Sequence, residues 1–128
     1  MPLYLIQSKT KFSKEKKDKT VAAITEIHCR VTGAPAKFVN VIFMTGYRLK
    51  NNKKAILLGN IRTGGTRTEE VVIQLKRELH EGIAANLGLP IQKVGYQFLG
   101  VYPYWVWEGG KVLPMPGDED DWLKTKPA

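Results

Sequence analysis

At 128 residues and a formal charge of +8, the chain reads as one domain, 1–128, large enough to bury a core without staples. Its 43% hydrophobic and 25% charged residues exclude a disordered or fibrous chain. One cysteine, Cys29, excludes an internal disulfide framework; two histidines, His28 and His80, offer no metal-ligand spacing; and no apolar run approaches the roughly 18 residues that cross a bilayer.

The first element follows directly on MPLYLIQSK. LYLIQS (3–8) reads as a strand, and LYLI is too short for the apolar part of a signal peptide, with lysines after it rather than before it. A cytoplasmic protein without a leader is the expectation. Pro2 raises a chemical question. If Met1 is removed, the Pro2 nitrogen becomes a secondary amine, a group found nowhere else in a polypeptide; a proline at this position also arises by chance.

Ser13 is placed to cap a helix, with Glu15 in its first turn. Val21, Ile24, Ile27, His28 and Val31 recur at helical spacing, and Gly33 followed by Pro35 ends the element. FVNVIFM (38–44) is an almost unbroken apolar run, expected as a central strand, and GYRLKNNKK is a polar loop or irregular hairpin. The order then repeats. AILLGN (55–60) is a strand and IRTGGTR a glycine-bearing loop. Thr68 caps a second helix whose buried stripe is Val72, Leu75, Leu79 and Ile83, ended by Gly88 and Pro90; IQKVGYQFLG (91–100) is the matching strand. A short hairpin in YWVWEGGKVL, turning at Gly109-Gly110, and an acidic end, PGDEDDWLK, complete the chain.

The fold class is therefore α/β (α+β): two fused βαβ units, halves about 1–54 and 55–128, form a four-stranded mixed sheet with two helices on one face, plus the C-terminal hairpin. The other face of the sheet is left bare and must be covered, which predicts a homo-oligomer.

Four features carry candidate chemistry. His28 lies one turn from Ile24 on the apolar face and points to the sheet, as a satisfied core histidine or a functional one. Cys29 is about 100° round the helix from it, so the pair forms no nucleophile–base dyad; Cys29 reads as a small hydrophobe. Arg62 and Arg67 flank TGGT near the start of the second helix, where guanidinium forks and helix N–H groups suit a carboxylate; exposed loop arginines are the alternative. The loop has neither Walker A nor dinucleotide-fingerprint spacing. Glu108 precedes Gly109-Gly110 among Tyr102, Tyr104, Trp105 and Trp107, company in which a carboxylate can serve as a general base, although a surface hairpin glutamate reads equally well. The basic runs KTKFSKEKKDK (9–19) and RLKNNKK (48–54) read first as solvated surface, and as a field that concentrates small anions.

Together, MPLY, AITEIHCRVTG (23–33), NIRTGGTR (60–67), GVYP and EGGKVLPMPG resemble the tautomerase superfamily, and within it the cis-3-chloroacrylic acid dehalogenase subgroup. The resemblance covers most of the chain. It implies a cofactor-independent enzyme with no metal, assembled as a homotrimer. Pro2 would be the proton-transferring amine, Arg62 and Arg67 would hold the substrate carboxylate with help from His28, and Glu108 would position or activate a water. The loop between the arginines is longer than in the dehalogenase. Phe98 stands where that enzyme has a water-assisting tyrosine, with Tyr96 two residues earlier on the same strand face.

The implied substrate is a small carboxylate, with no nucleic acid or membrane partner. A neutral Pro2 amine would abstract a proton α to a carbonyl, giving keto–enol tautomerisation of a 2-oxo acid. A protonated one would deliver a proton to carbon while Glu108 activates water, giving hydration or hydrolytic dehalogenation of a 3-substituted acrylic acid. The competing class is a non-catalytic, oligomeric βαββαβ binding module, for a small molecule or, as the weaker branch, RNA. An RNA-recognition motif shows aromatics on its third strand, and AILLGN has none.

Overall fold

The computed structural model describes residues 1–126. Alternation sets the first strand, β1 (Leu3–Ser8): Tyr4, Ile6 and Ser8 are buried on one face, while Leu3, Leu5 and Gln7 are half-buried on the other. Helix α1 (Lys14–Thr32) opens where the Ser13 side chain accepts from the Lys16 N–H. It closes at Gly33, whose φ of 76° is the left-handed cap that glycine adopts without penalty. Strands β2 (Asn40–Thr45) and β3 (Ala55–Arg62) follow, and then α2 (Glu69–Leu87), capped by the Thr68 side chain on the Val71 N–H. The main sheet ends with β4 (Val94–Val101), the hairpin is β5 (Trp107–Glu108) and β6 (Lys111–Val112), and a short helix α3 (Glu119–Lys124) closes the described chain.

The sheet runs in the order β2-β1-β3-β4, with β1 and β2 parallel, β3 and β4 parallel, and β1 antiparallel to β3. Two βαβ units thus join back to back through their first strands. The antiparallel register, Leu3 opposite Asn60, brings the start of β1 to the end of β3. That junction is what gathers Pro2 and Arg62 at one end of the sheet.

Ile24 and Ile27 of α1 and Leu75, Leu79, Ile83 and Leu87 of α2 pack with Tyr4, Ile6, Leu57, Ile61 and Val94 in one core between helices and sheet. Each such side chain, fully buried, stabilises the fold by about 1.5–3 kcal/mol. Among the described residues, no element covers the opposite sheet face. Leu5 lies beside Ile42 and Leu58 there, and Ile42 and Leu99 are 47% and 60% exposed.

Two sequence expectations are corrected and one is extended. FVNVIFM forms an edge strand, because β1 and not β2 pairs with the second unit; its apolar run reflects Val41 and Phe43 packing on the core. Phe38 and Ile91–Lys93 lie in single 3₁₀ turns ahead of β2 and β4, so both strands start later than their apolar patterns do. The acidic end, read only as acidic with no element assigned, is helical: Asp118 precedes α3, whose first turn holds Glu119, Asp120 and Asp121.

Candidate active site

Helix α3 and the segment before it close over the end of the sheet. Trp122 donates from its indole N–H to the Val112 carbonyl at 2.6 Å and meets the Phe38 ring edge-on at 5.4 Å. The Thr66 N–H donates to the Pro116 carbonyl at 3.1 Å. Gly65 permits that approach, since its φ is 56° and a Cβ there would stand 2.0 Å from the Pro116 oxygen. The loop carrying Arg67 is therefore pinned between β3 and the C-terminal segment.

Within this enclosure Arg62 is 1% exposed; both terminal nitrogens of its fork are engaged, while its Nε has no partner among the described residues. Nη1 donates to the Pro114 carbonyl and Nη2 to Glu119 Oε1, each at 2.8 Å, while the guanidinium lies over the Phe38 ring. Burial alone would raise the Glu119 carboxyl, but the Arg62 hydrogen bond and backbone N–H groups, including that of Gly117, hold it below the usual carboxylate range. Arg67 is the contrast. It is 9% exposed, yet its Nε and Nη1 have no partner among the described residues. Burial, and then the neighbouring Arg62, lower its pKa to about 10, so it remains a cation at neutral pH, short of an anion.

His28 is fully buried. Its Nδ1 is 2.7 Å from the Tyr4 hydroxyl, and its Nε2 has no partner among the described residues. Burial first, then Arg67 and Arg62, push its pKa down to about 3, so the ring is neutral. Burial also raises the Tyr4 phenol, which stays protonated and donates to Nδ1. The proton of the neutral imidazole then sits on Nε2, and the Arg67 cation is near enough to act on the ring. Tyr4 was not singled out in the sequence. Its ring stands across the sheet from Gly59, where a Cβ would meet Phe98 at 2.8 Å and Tyr4 at 3.0 Å.

Pro2 is buried at the mouth of this end, and its carbonyl accepts from the Asn40 N–H at 3.0 Å. Asn40 Nδ2 donates to Glu108 Oε1 at 3.1 Å, and Glu108 Oε2 accepts from the Met1 amine. Burial lowers the pKa of that amine, Glu108 opposes the shift, and Arg62 adds to it. The Met1 side chain is itself buried, 8% exposed. The Glu108 hairpin turns through Gly109 and Gly110, both at positive φ (67° and 81°), and a cavity of about 360 Å³ lined by Phe38, Glu108, Leu113 and Trp122 opens beside it.

The single chain therefore brings together Pro2, His28, Arg62, Arg67 and Glu108. It does not bring Tyr96 there. That ring packs on His80 at 4.9 Å, and Tyr96 pairs with Leu57, four positions along β3 from the Ile61 row. Phe98 is nearer, edge-on to Tyr4 at 6.4 Å, but it has no polar atom to hold a water. The aromatics round Glu108 form their own exposed cluster, with Tyr102 stacked on Tyr104 at 5.5 Å. Asn40 and Glu119 were missed because each acts through a partner more than fifty residues away, a spacing that no local motif records.

Residues 1–122 match the family model described as "Putative oxalocrotonate tautomerase enzyme". No curated protein matches the sequence. Among solved structures, the chain is similar to a member of the cis-3-chloroacrylic acid dehalogenase family, with TM-score 0.88 and 26% identity over 98% of this chain and 93% of that one. It is also similar in fold to a fused 4-OT solved as an asymmetric trimer (TM-score 0.74, 21% identity, 87% and 95% covered). A Toxoplasma gondii macrophage migration inhibitory factor shares the fold at TM-score 0.69 and 15% identity, with 88% and 100% covered.

Proposed function

We propose that this chain, which belongs to the oxalocrotonate tautomerase family and is an enzyme of the tautomerase kind, uses the Pro2 nitrogen to move a proton on a small carboxylate held by Arg67 and His28. The observation that carries the reading is the set of buried nitrogens without a partner among the described residues: Arg67 Nε and Nη1 and His28 Nε2, together with Arg62 Nε. Buried donors left without acceptors cost about 1–3 kcal/mol each, more when charged, and a carboxylate among them removes that cost. Arg62, engaged by Glu119 and Pro114, supplies positive potential and holds the enclosure rather than gripping substrate.

Removal of Met1 is part of the proposal. It frees the Pro2 amine, removes the buried Met1 side chain, and leaves Glu108, the partner of the present terminal amine, near the new terminus. An ordinary α-amino group titrates near ~8. Burial and Arg62 lower the amine that occupies this place now, and Glu108 resists. A neutral Pro2 amine takes the α-proton of a 2-oxo acid and returns it at the other end of the enol. The enolate charge builds on the C2 oxygen, next to the carboxylate held by Arg67 and the His28 N–H, whose donors and positive potential stabilise it. With Pro2 protonated, the same arrangement protonates an unsaturated acid while Glu108 and Asn40 orient a water. That gives hydration, or loss of halide from a 3-halo substrate. The absence of a hydroxyl at Phe98 favours tautomerisation as the main reaction.

The uncovered sheet face and the trimeric fused 4-OT of the same fold support a homotrimer for this chain. Intact mass first establishes that Met1 is absent from the sample. Ketonisation of 2-hydroxy-2-enoic acids and turnover of 3-haloacrylates are then followed for the wild type and Pro2→Ala. Loss of both activities in Pro2→Ala is expected; full activity in that variant would overturn the reading.

A further inference from the structure

The two lysine-rich runs, separated by about thirty residues in sequence, meet in space at the end of the sheet opposite Pro2. The loop after β2 is tied to the turn after β1: the Gly46 N–H donates to the Lys9 carbonyl at 3.1 Å and the Tyr47 N–H to the Ser8 carbonyl at 3.3 Å. A cleft of about 1360 Å³ lies between them. Lys9, Lys11 and Lys16 line it from the first run, and Arg48, Lys50, Lys53 and Lys54 from the second; no aspartate or glutamate does. The charges are segregated. Lys14 and Lys19, on the same helix but outside the cleft, are paired with Asp18 and Glu15. No cleft cation forms an ion pair among the described residues; Lys53 alone is tied down, donating to the Gln92 carbonyl at 2.8 Å.

We infer that this cleft binds a soluble ligand carrying several clustered phosphates. Seven like charges around one concavity repel each other, and each is only partly screened by salt across a Debye length of roughly 8 Å. A single small anion meets two or three of them, whereas a chain of phosphates meets most. The volume exceeds the roughly 300–1000 Å³ usual for a drug-sized ligand, so there is room for a polyphosphate with an organic group. Leu49 and Leu89, both partly exposed, supply apolar lining for that group. Single-stranded nucleic acid fits less well. Its bases need exposed aromatic platforms, and the one aromatic lining the cleft, Phe12, packs against the core. The cleft lies a full strand length, about 20 Å at 3.3 Å per residue, from Pro2, so both ends of the sheet can be occupied together.

The test is calorimetric titration of the full chain with inorganic tripolyphosphate at physiological salt. Micromolar binding is expected in the wild type. Lys11→Glu with Lys50→Glu, both exposed side chains, should weaken it by at least about tenfold. Lys14→Glu with Lys19→Glu makes the same change in net charge outside the cleft and should shift affinity by less than about threefold. Equal losses in the two pairs would reduce the effect to overall charge and overturn the proposal. So would a wild type that ignores tripolyphosphate, or one that binds a single-stranded oligonucleotide through Lys11 and Lys50 but not tripolyphosphate. Circular dichroism of both variants confirms that each is folded.

Discussion

The Tyr4 hydroxyl stands 2.7 Å from His28 Nδ1, both residues are shielded from solvent, and no other group competes for either atom among the described residues. Donation from Tyr4 fixes the imidazole as the Nε2–H tautomer. Tyr4→Phe removes that constraint while keeping the ring that packs on Phe98. The expected result is a loss of roughly 1 kcal/mol in stability and a mixture of His28 tautomers, read from its ¹⁵N shifts. Activity should fall through weaker substrate binding, since the Nε2 donor is then only part of the time in place. An unchanged single tautomer in Tyr4→Phe would show that another group sets the proton.

The same burial makes His28 a source of acid sensitivity. Folded, it titrates near about 3; unfolded, it returns to its ordinary 6.5. Below 6.5 the unfolded chain binds a proton that the folded chain refuses, so stability is full above that pH and declines as pH falls towards 3. By pH 5 the loss from this group alone is roughly 2 kcal/mol. Urea unfolding of the wild type at pH 7 and pH 5, beside His28→Gln, measures it. The variant should start less stable but lose less on acidification.

Arg62 and Arg67, five residues apart, should respond to truncation in opposite ways. Arg62→Ala leaves the Glu119 carboxylate buried without its cation, a change that costs about 3–5 kcal/mol, and the protein should unfold at much lower denaturant. Arg62→Met combined with Glu119→Leu should recover most of that stability. Arg67→Ala removes a charge with unpartnered donors, so stability should hold or rise, while KM for a carboxylate substrate rises about ten- to a hundredfold, the equivalent of lost charged hydrogen bonds of about 1.5–3 kcal/mol. If Arg67→Ala instead unfolds the protein and leaves KM unchanged in its folded fraction, the carboxylate belongs elsewhere.

Much of this was legible in the residues because local rules acted alone. Ser13 and Thr68 cap their helices, Gly33 and Gly88 end them, and the apolar stripes face the core as their spacing says. Gathering His28, Arg62, Arg67 and Glu108 near Pro2 relied on the family resemblance as much as on spacing. What escaped was non-local. Nothing in PGDEDDWLK announces that Glu119 will pair with Arg62, since the pair exists only once α3 folds back over β3. The apolar run of β2 suggested a central strand because an edge strand that packs Val41 and Phe43 on the core and carries Ile42 on its other face looks, in sequence, like one buried on both faces. Tyr4 read as one more strand residue because its hydroxyl acquires meaning only opposite His28.

The uncovered sheet face yields the last prediction. Leu99 is 60% exposed at the middle of β4, and Leu5, Ile42 and Leu58 share its side of the sheet. Contiguous apolar surface of this kind is rare on a monomer and drives association when it is self-complementary. In the proposed homotrimer Leu99 is at the contact, so Leu99→Arg would place a charge in an apolar interface without removing anything from the core. Sedimentation or light scattering should show the wild type as a trimer and the variant shifted to monomer at micromolar concentration. The monomer should keep the helix content of the parent, because the core lies between α1, α2 and the other face of the sheet. A variant that remains trimeric would place the contact on another surface, with the exposed cluster of Tyr102, Tyr104 and Trp105 the next to be substituted.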